Sequence, residues 1–177
     1  MSGTIEENMK TTLVTGGIGS GKSEVCRHLS RRGFPVYDCD SRCKALYDDV
    51  PGLRDRIESE LGIPFCRLSV IFEDDKKREK LESIVFPLLL EDISLWKSGI
   101  DAGRCFIESA TALSKKAFDE VYDDVWIVKA GYCARLARNS KVAQRDGLQV
   151  FDESRASEII ENDGSIEELY DKVDKII

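Results

Sequence analysis

A chain of 177 residues is the size of one domain, and such a chain hides roughly 70 % of its extended surface on folding. Its 42 % hydrophobic and 33 % charged content belongs to a globular protein in water. A net charge of −7 argues against a general nucleic-acid binder, and no apolar run approaches the ~20 residues a bilayer span needs, so neither nucleic acid nor membrane is an expected partner.

The start, Met1 to Lys10, is polar and predicts a frayed end rather than a secretory leader. Cys26, Cys39, Cys43, Cys66, Cys105 and Cys133 form no C-x-x-C pair, and His28 has no partner at zinc-finger spacing. They read as reduced thiols of a cytoplasmic protein. His28 reads as a surface or helix-cap residue.

A short apolar run, Leu13 and Val14, leads into Gly16-Gly17-Ile18-Gly19-Ser20-Gly21-Lys22-Ser23. This fits G-x-x-x-x-G-K-[ST], a phosphate-binding loop, at every fixed position. Glycines let backbone N–H groups approach phosphate oxygens, and the helix that follows points its orphan N–H groups and positive dipole end at the same anion. In such loops the lysine, here Lys22, reaches the β- and γ-phosphates of ATP, and the hydroxyl, here Ser23, ligates Mg²⁺. The helix is predicted from Lys22 to about Arg32, with Val25, Cys26 and Leu29 on its apolar face and Gly33 closing it.

Phe34 to Tyr37 reads as a strand ending in Asp38-Cys39-Asp40. Two carboxylates at the carboxyl edge of an α/β sheet suit Mg²⁺ positioning and general base work, since ligands bind at that edge. The competing reading is a helix N-cap at Asp40 or Ser41. A helix is expected to about Tyr47, another over Leu53 to Leu61 stopped by Gly62, and a third from about Asp74 to Lys97. Pro87 predicts a break or a new helix start in the third, because proline removes a helical donor and clashes one turn back.

Cys105 to Ile107 reads as a strand ending at Glu108, an acid placed for a metal or water contact, against the alternative of a strand-end carboxylate in solvent. Phe118 to Tyr122 is expected to be helical, and Val125 to Val128 is a buried strand. From Val125 to Arg145 there is no acid, but there are Lys129, Arg135, Arg138, Lys141 and Arg145. In an acidic chain this suggests an anionic ligand, against the alternative of a chance cluster on an exposed helix. Gln144 to Leu148 reads as a return turn. Ile159-Ile160, the turn Asn162-Asp163-Gly164 and a helix from Ser165 to about Ile176 close the chain, with Ser165 and Glu168 forming a capping box. Alternating strands and helices predict an α/β fold with a parallel, doubly wound sheet.

Several segments together resemble the dephospho-CoA kinase family: TGGIGSGKSEV, FPVYDCD, RLSVIFEDDKKREKLESIVFPL, QRDGL and IIENDGSIEEL, in that order. The resemblance implies a three-layer P-loop fold with about five parallel strands flanked by helices. It implies one domain over 1–177, with a helical acceptor-binding insertion near 41–98 and a lid near 131–148. It implies transfer of phosphate from ATP to the 3′-hydroxyl of dephospho-CoA, with ATP and Mg²⁺ bound. Asp40 would be the base facing that hydroxyl, with Asp38, Lys44 and Glu108 also on the acceptor side. Gly17, Ile18, Gly19, Ser20, Gly21, Lys22, Ser23 and Glu24 would hold the nucleotide phosphates. Asn162 to Gly164 would lie against the adenine, and Arg138 and Arg145 would close over the phosphates.

The sequence departs from the family pattern at named places. Phe86 stands where the family has histidine before Pro87, and Lys44 where an arginine follows Asp40 by four. Glu108-Ser109-Ala110-Thr111 replaces D-V-P-L, and the stretch from Leu148 to Ile159 is too short for the usual second lid helix. A kinase for another small hydroxyl substrate, such as a nucleoside or sugar, and a nucleotide-binding module without turnover remain alternatives. A GTPase does not fit, because N-K-x-D is missing.

Overall fold

A computed structural model describes residues 9–145 and 151–177, the side chains of 72, 73, 144 and 145 excepted. It divides into two compact units, one formed by the chain up to Asp38 with Ile100–Ile177, the other by Cys39–Gly99.

The first unit is built on a five-stranded sheet of β1 (Lys10–Gly16), β2 (Val36–Asp38), β3 (Arg104–Glu108), β4 (Asp124–Lys129) and β5 (Glu158–Glu161). The spatial order is β2-β3-β1-β4-β5 and every pairing is parallel. This is the parallel α/β sheet expected from the sequence. Because β1 is central, its carboxyl end opens between β3 and β4. The helices are α1 (Lys22–Arg31), α5 (Tyr132–Arg138), α6 (Val142–Arg145) and α7 (Ile166–Asp174).

Sheet and helices share one apolar layer. Val25, Cys26 and Leu29 of α1 and Leu169 and Val173 of α7 meet Val14, Phe106, Trp126, Val128 and Ile160 of the strands. Strand alternation sends Leu13, Ile107 and Ile127 to the opposite face, where they are buried too. Phe106 is the hub of the aromatic contacts, 5.2 Å from Trp126 and 5.5 Å edge-on to Phe34. Such pairs add roughly 0.5–1.5 kcal/mol beyond burial. Ser165 caps α7 by accepting from the Glu168 N–H at 3.2 Å, as the capping-box spacing predicts.

The second unit is helical: α2 (Cys39–Asp49), α3 (Leu53–Leu61), a 3₁₀ segment (Phe65–Glu73) and α4 (Asp75–Ser98). Helix α4 packs against α2 and α3 through Ile84, Val85, Leu89 and Ile93. A half-buried bidentate pair from Arg42 on α2 to Asp92 on α4 adds direction to that packing. Among the described residues, no helix is long and apolar enough to cross a membrane.

Several expectations are corrected. Helix α4 does not break at Pro87 but runs through it. The exposed proline removes a single donor, and the buried stripe on both sides holds the helix together. Helix α2 begins at Cys39, so Asp40 sits inside its first turn and neither Asp40 nor Ser41 is an N-cap. Phe118 to Tyr122 is not a helix; a 3₁₀ turn covers Lys116–Phe118. The 3₁₀ segment Phe65–Glu73 had no sequence signal. His28 is no surface residue: it is 12 % exposed, stacked on Tyr170 at 4.2 Å and bonded to Asp174 at 2.8 Å.

Candidate active site

Parallel pairing brings the strand ends to one edge, where Asp38 of β2 is in register with Glu108 of β3, and Glu108 with Val14 of β1. The loop from Gly16 to Ser23 leaves β1 at this edge. Gly19 and Gly21 have φ of 75° and 102°, the region that favours glycine. A Cβ on Gly19 would lie 2.7 Å from the Arg135 carbonyl oxygen, and one on Gly21 would lie 2.2 Å from Asn162 Nδ2. Both glycines are therefore demanded by conformation and by space.

Gly21 is the residue before α1, and no side chain caps that helix. Its carbonyl accepts from the Glu24 and Val25 N–H groups at 3.0 Å. The uncapped donors of the first turn and the positive end of the helix dipole form a seat for an anion, with Lys22 adding a full charge. Among the described residues Lys22 pairs with no carboxylate. Ser20 is 1 % exposed, its hydroxyl is buried without a partner, and its N–H donates to the Gly17 carbonyl at 3.0 Å.

Ser23 Oγ donates to Glu108 Oε1 at 2.5 Å. The buried thiol of Cys26 lies one turn further along α1, close enough to feel the Glu108 charge. Burial, and then the Glu108 charge, push that thiol well up, so it stays an S–H donor. The hydroxyl and the carboxylate are oxygen donors of the type Mg²⁺ takes. Among the described residues no cluster of three or more His, Cys, Asp or Glu could hold a metal by itself. The donor set therefore fits an ion that takes the rest of its shell from phosphate oxygens and water.

Arg138 of α5 donates to the Gly19 carbonyl at 3.3 Å and to the Asn162 carbonyl at 2.9 Å. Asn162 is 7 % exposed, and its Nδ2 donates to the Ser20 carbonyl at 2.8 Å. Asp163 accepts from the Gly131 N–H ahead of α5 at 2.6 Å. The turn after β5 thus ties the loop to α5. Glu24 bonds Arg27 and Tyr170, which turns it toward α7.

Among the other bases, Lys129 pairs with Glu153 at 2.8 Å and Arg135 donates to the Ala130 carbonyl at 3.0 Å. Lys141 is exposed. The Arg145 side chain and the turn to Leu148 lie outside the described residues. In the helical unit, Asp40 and Lys44 are exposed and four residues apart on α2, which puts them on one helix face.

Sequence reasoning named the loop, Ser23 and Glu108, and the structure brings Ser23 and Glu108 together, but it gave no sign of the Asn162 amide on the Ser20 carbonyl or of Arg138 on the Gly19 carbonyl. Those links join positions far apart in the chain, and no local pattern marks them.

No protein-family model matches the chain. The dephospho-CoA kinase of Porphyromonas gingivalis is 34 % identical over 148 residues, covering 78 % of this chain and 71 % of that protein. The dephospho-CoA kinase of Fusobacterium nucleatum is 28 % identical over 186 residues, covering 92 % and 94 %. A crystal structure from Thermus thermophilus superposes with a TM-score of 0.79 at 26 % identity, covering 95 % of this chain and 96 % of that one. A dephospho-CoA kinase from Campylobacter jejuni has a TM-score of 0.56 at 17 % identity, covering 95 % of each chain, which is likeness of fold.

Proposed function

This chain belongs to the dephospho-CoA kinase family, and we propose that it transfers the γ-phosphoryl group of ATP to the 3′-hydroxyl of dephospho-CoA, giving coenzyme A and ADP. The observation that carries the reading is the uncapped start of α1, with Lys22 and the Ser23–Glu108 pair beside it.

In this reading the α1 N-terminus and Lys22 hold the nucleotide phosphates. Ser23 and Glu108 hold Mg²⁺, which would supply charge neutralisation on the phosphate oxygens. Asp40 accepts the proton of the 3′-hydroxyl as the oxygen–phosphorus bond forms and the bond to the β,γ-bridging oxygen breaks, releasing ADP. Its support is its place in the chain, two residues beyond the end of β2. Asp38 and Lys44 serve the acceptor. Arg138 and Arg145 complete the neutralisation of charge that develops on the transferred group. Catalysis is then mostly positioning and electrostatics. The cytoplasm is the compartment that suits six free thiols.

ADP release against a panel of acceptors tests the proposal. Dephospho-CoA should accelerate release far above ATP alone, and nucleosides and sugars should not. Faster release with a nucleoside or sugar assigns a different acceptor. Tight ATP binding with no turnover on any acceptor makes the protein a binding module.

A further inference from the structure

We propose that Asn162 is a positioning residue that aims the Gly21 N–H at the nucleotide phosphates by holding the Ser20 carbonyl. The inference rests on the phosphate-loop reading of Gly16 to Ser23.

A peptide unit is planar and trans, so its C=O and N–H point in opposite directions. Ser20 C=O and Gly21 N–H belong to one such unit. The Asn162 amide donates to that carbonyl at 2.8 Å from a buried position. The carbonyl is thereby fixed toward Asn162, and the Gly21 N–H is fixed away from it. Among the described residues that N–H donates to no other group, which leaves it available for a ligand. A carbonyl turned the other way would put a negative dipole end against phosphate and withdraw a donor.

The arrangement is held from both ends of the same residue. The Asn162 carbonyl accepts from Arg138, whose other nitrogen donates to the Gly19 carbonyl. Two successive loop carbonyls, Gly19 and Ser20, are thus engaged by side chains from the lid helix and the turn after β5. The fit is close enough that a single carbon on Gly21 would collide with the Asn162 amide. One of the two N–H donors of the Asn162 amide is committed to Ser20.

The test separates aiming the loop from reading the base, using Mg²⁺-tripolyphosphate as a probe that carries phosphates and no base. Calorimetric affinities for MgATP and Mg²⁺-tripolyphosphate are compared between wild type, Asn162→Ala and Asn162→Asp. The aspartate has the same shape but lacks the N–H. Both variants should weaken both ligands by about the same factor, about tenfold or more, the scale of one buried hydrogen bond. KM for the acceptor should stay within twofold.

A loss confined to ATP, with tripolyphosphate unchanged, would mean that the side chain reads the base and would overturn the proposal. Unchanged affinity for both ligands overturns it as well. So does loss of folding in both variants, which would make the residue a core anchor. If wild type itself fails to bind tripolyphosphate and ATP, the phosphate-loop reading fails instead.

Discussion

Glu108→Gln isolates one charge at the centre of the site. Glutamine keeps the volume and can still meet the Ser23 hydroxyl, which lies 2.5 Å from the carboxylate. What disappears is the negative charge proposed to face Mg²⁺. Two unit charges about 4 Å apart interact by about 4 kcal/mol at an effective dielectric of 20. Ser23 is exposed, so water screens part of this. A 10–100-fold loss of metal affinity, about 1.4–2.8 kcal/mol, is expected, as for carboxylates that support metal sites. The hydrogen bond at this half-exposed pair contributes about 1 kcal/mol to folding at most, so Tm should fall by no more than about 4 °C. The assay is the rate of ADP release against free Mg²⁺ at saturating ATP and acceptor. The half-saturating Mg²⁺ concentration should rise 10–100-fold, with activity recovering as Mg²⁺ is raised. A Mg²⁺ curve that superimposes on wild type would refute the reasoning and leave Glu108 as a tie between β3 and α1.

Asp40→Asn should cut kcat by about 10² or more and leave ATP affinity within a few-fold, as for a lost proton acceptor; an unchanged kcat shifts the role to Asp38 or Glu108. Arg138→Ala removes both backbone contacts of that guanidinium and should lower kcat/KM by well over tenfold, measured by ADP release. Phe106→Ala should destabilise the protein by about 3–5 kcal/mol in urea denaturation, because the ring is fully buried among Phe34, Trp126 and the α1 face. A thiol reagent at neutral pH should modify Cys66 and Cys133 rapidly, while Cys26, Cys39 and Cys105 wait for unfolding, since the first two are exposed and the other three buried. Burial and Glu108 hold the Cys26 thiol in its unreactive protonated form.

The sheet was legible because its strands are short apolar runs, four of the five ending in glycine or an acid and β4 in Lys129, a pattern set by local chemistry. The loop was legible for the same reason: close main-chain approach to a phosphate can be met by few residue types, and Gly19 and Gly21 are two of them. Pro87 misled because a proline's local cost is visible in sequence, whereas the packing of α4 against α2 and α3 that overrides it is not. His28 misled in the same way: its stacking partner Tyr170 is 142 residues away in the chain and nothing near His28 announces it. The resemblance alone placed Asn162 against a base. That its amide reaches back to Ser20 had no local signal, because the contact depends on how α7 and β5 seat against α1.

The central claim is that this loop passes phosphate to one hydroxyl. The direct measurement is to incubate the protein with ATP labelled in the γ-phosphate, Mg²⁺ and dephospho-CoA, and to locate the label. The account predicts label in a product with the mass of coenzyme A, carried on the ribose 3′-oxygen, with one ADP formed per product. Label that stays in ATP, or appears only as inorganic phosphate whether or not dephospho-CoA is present, would contradict it.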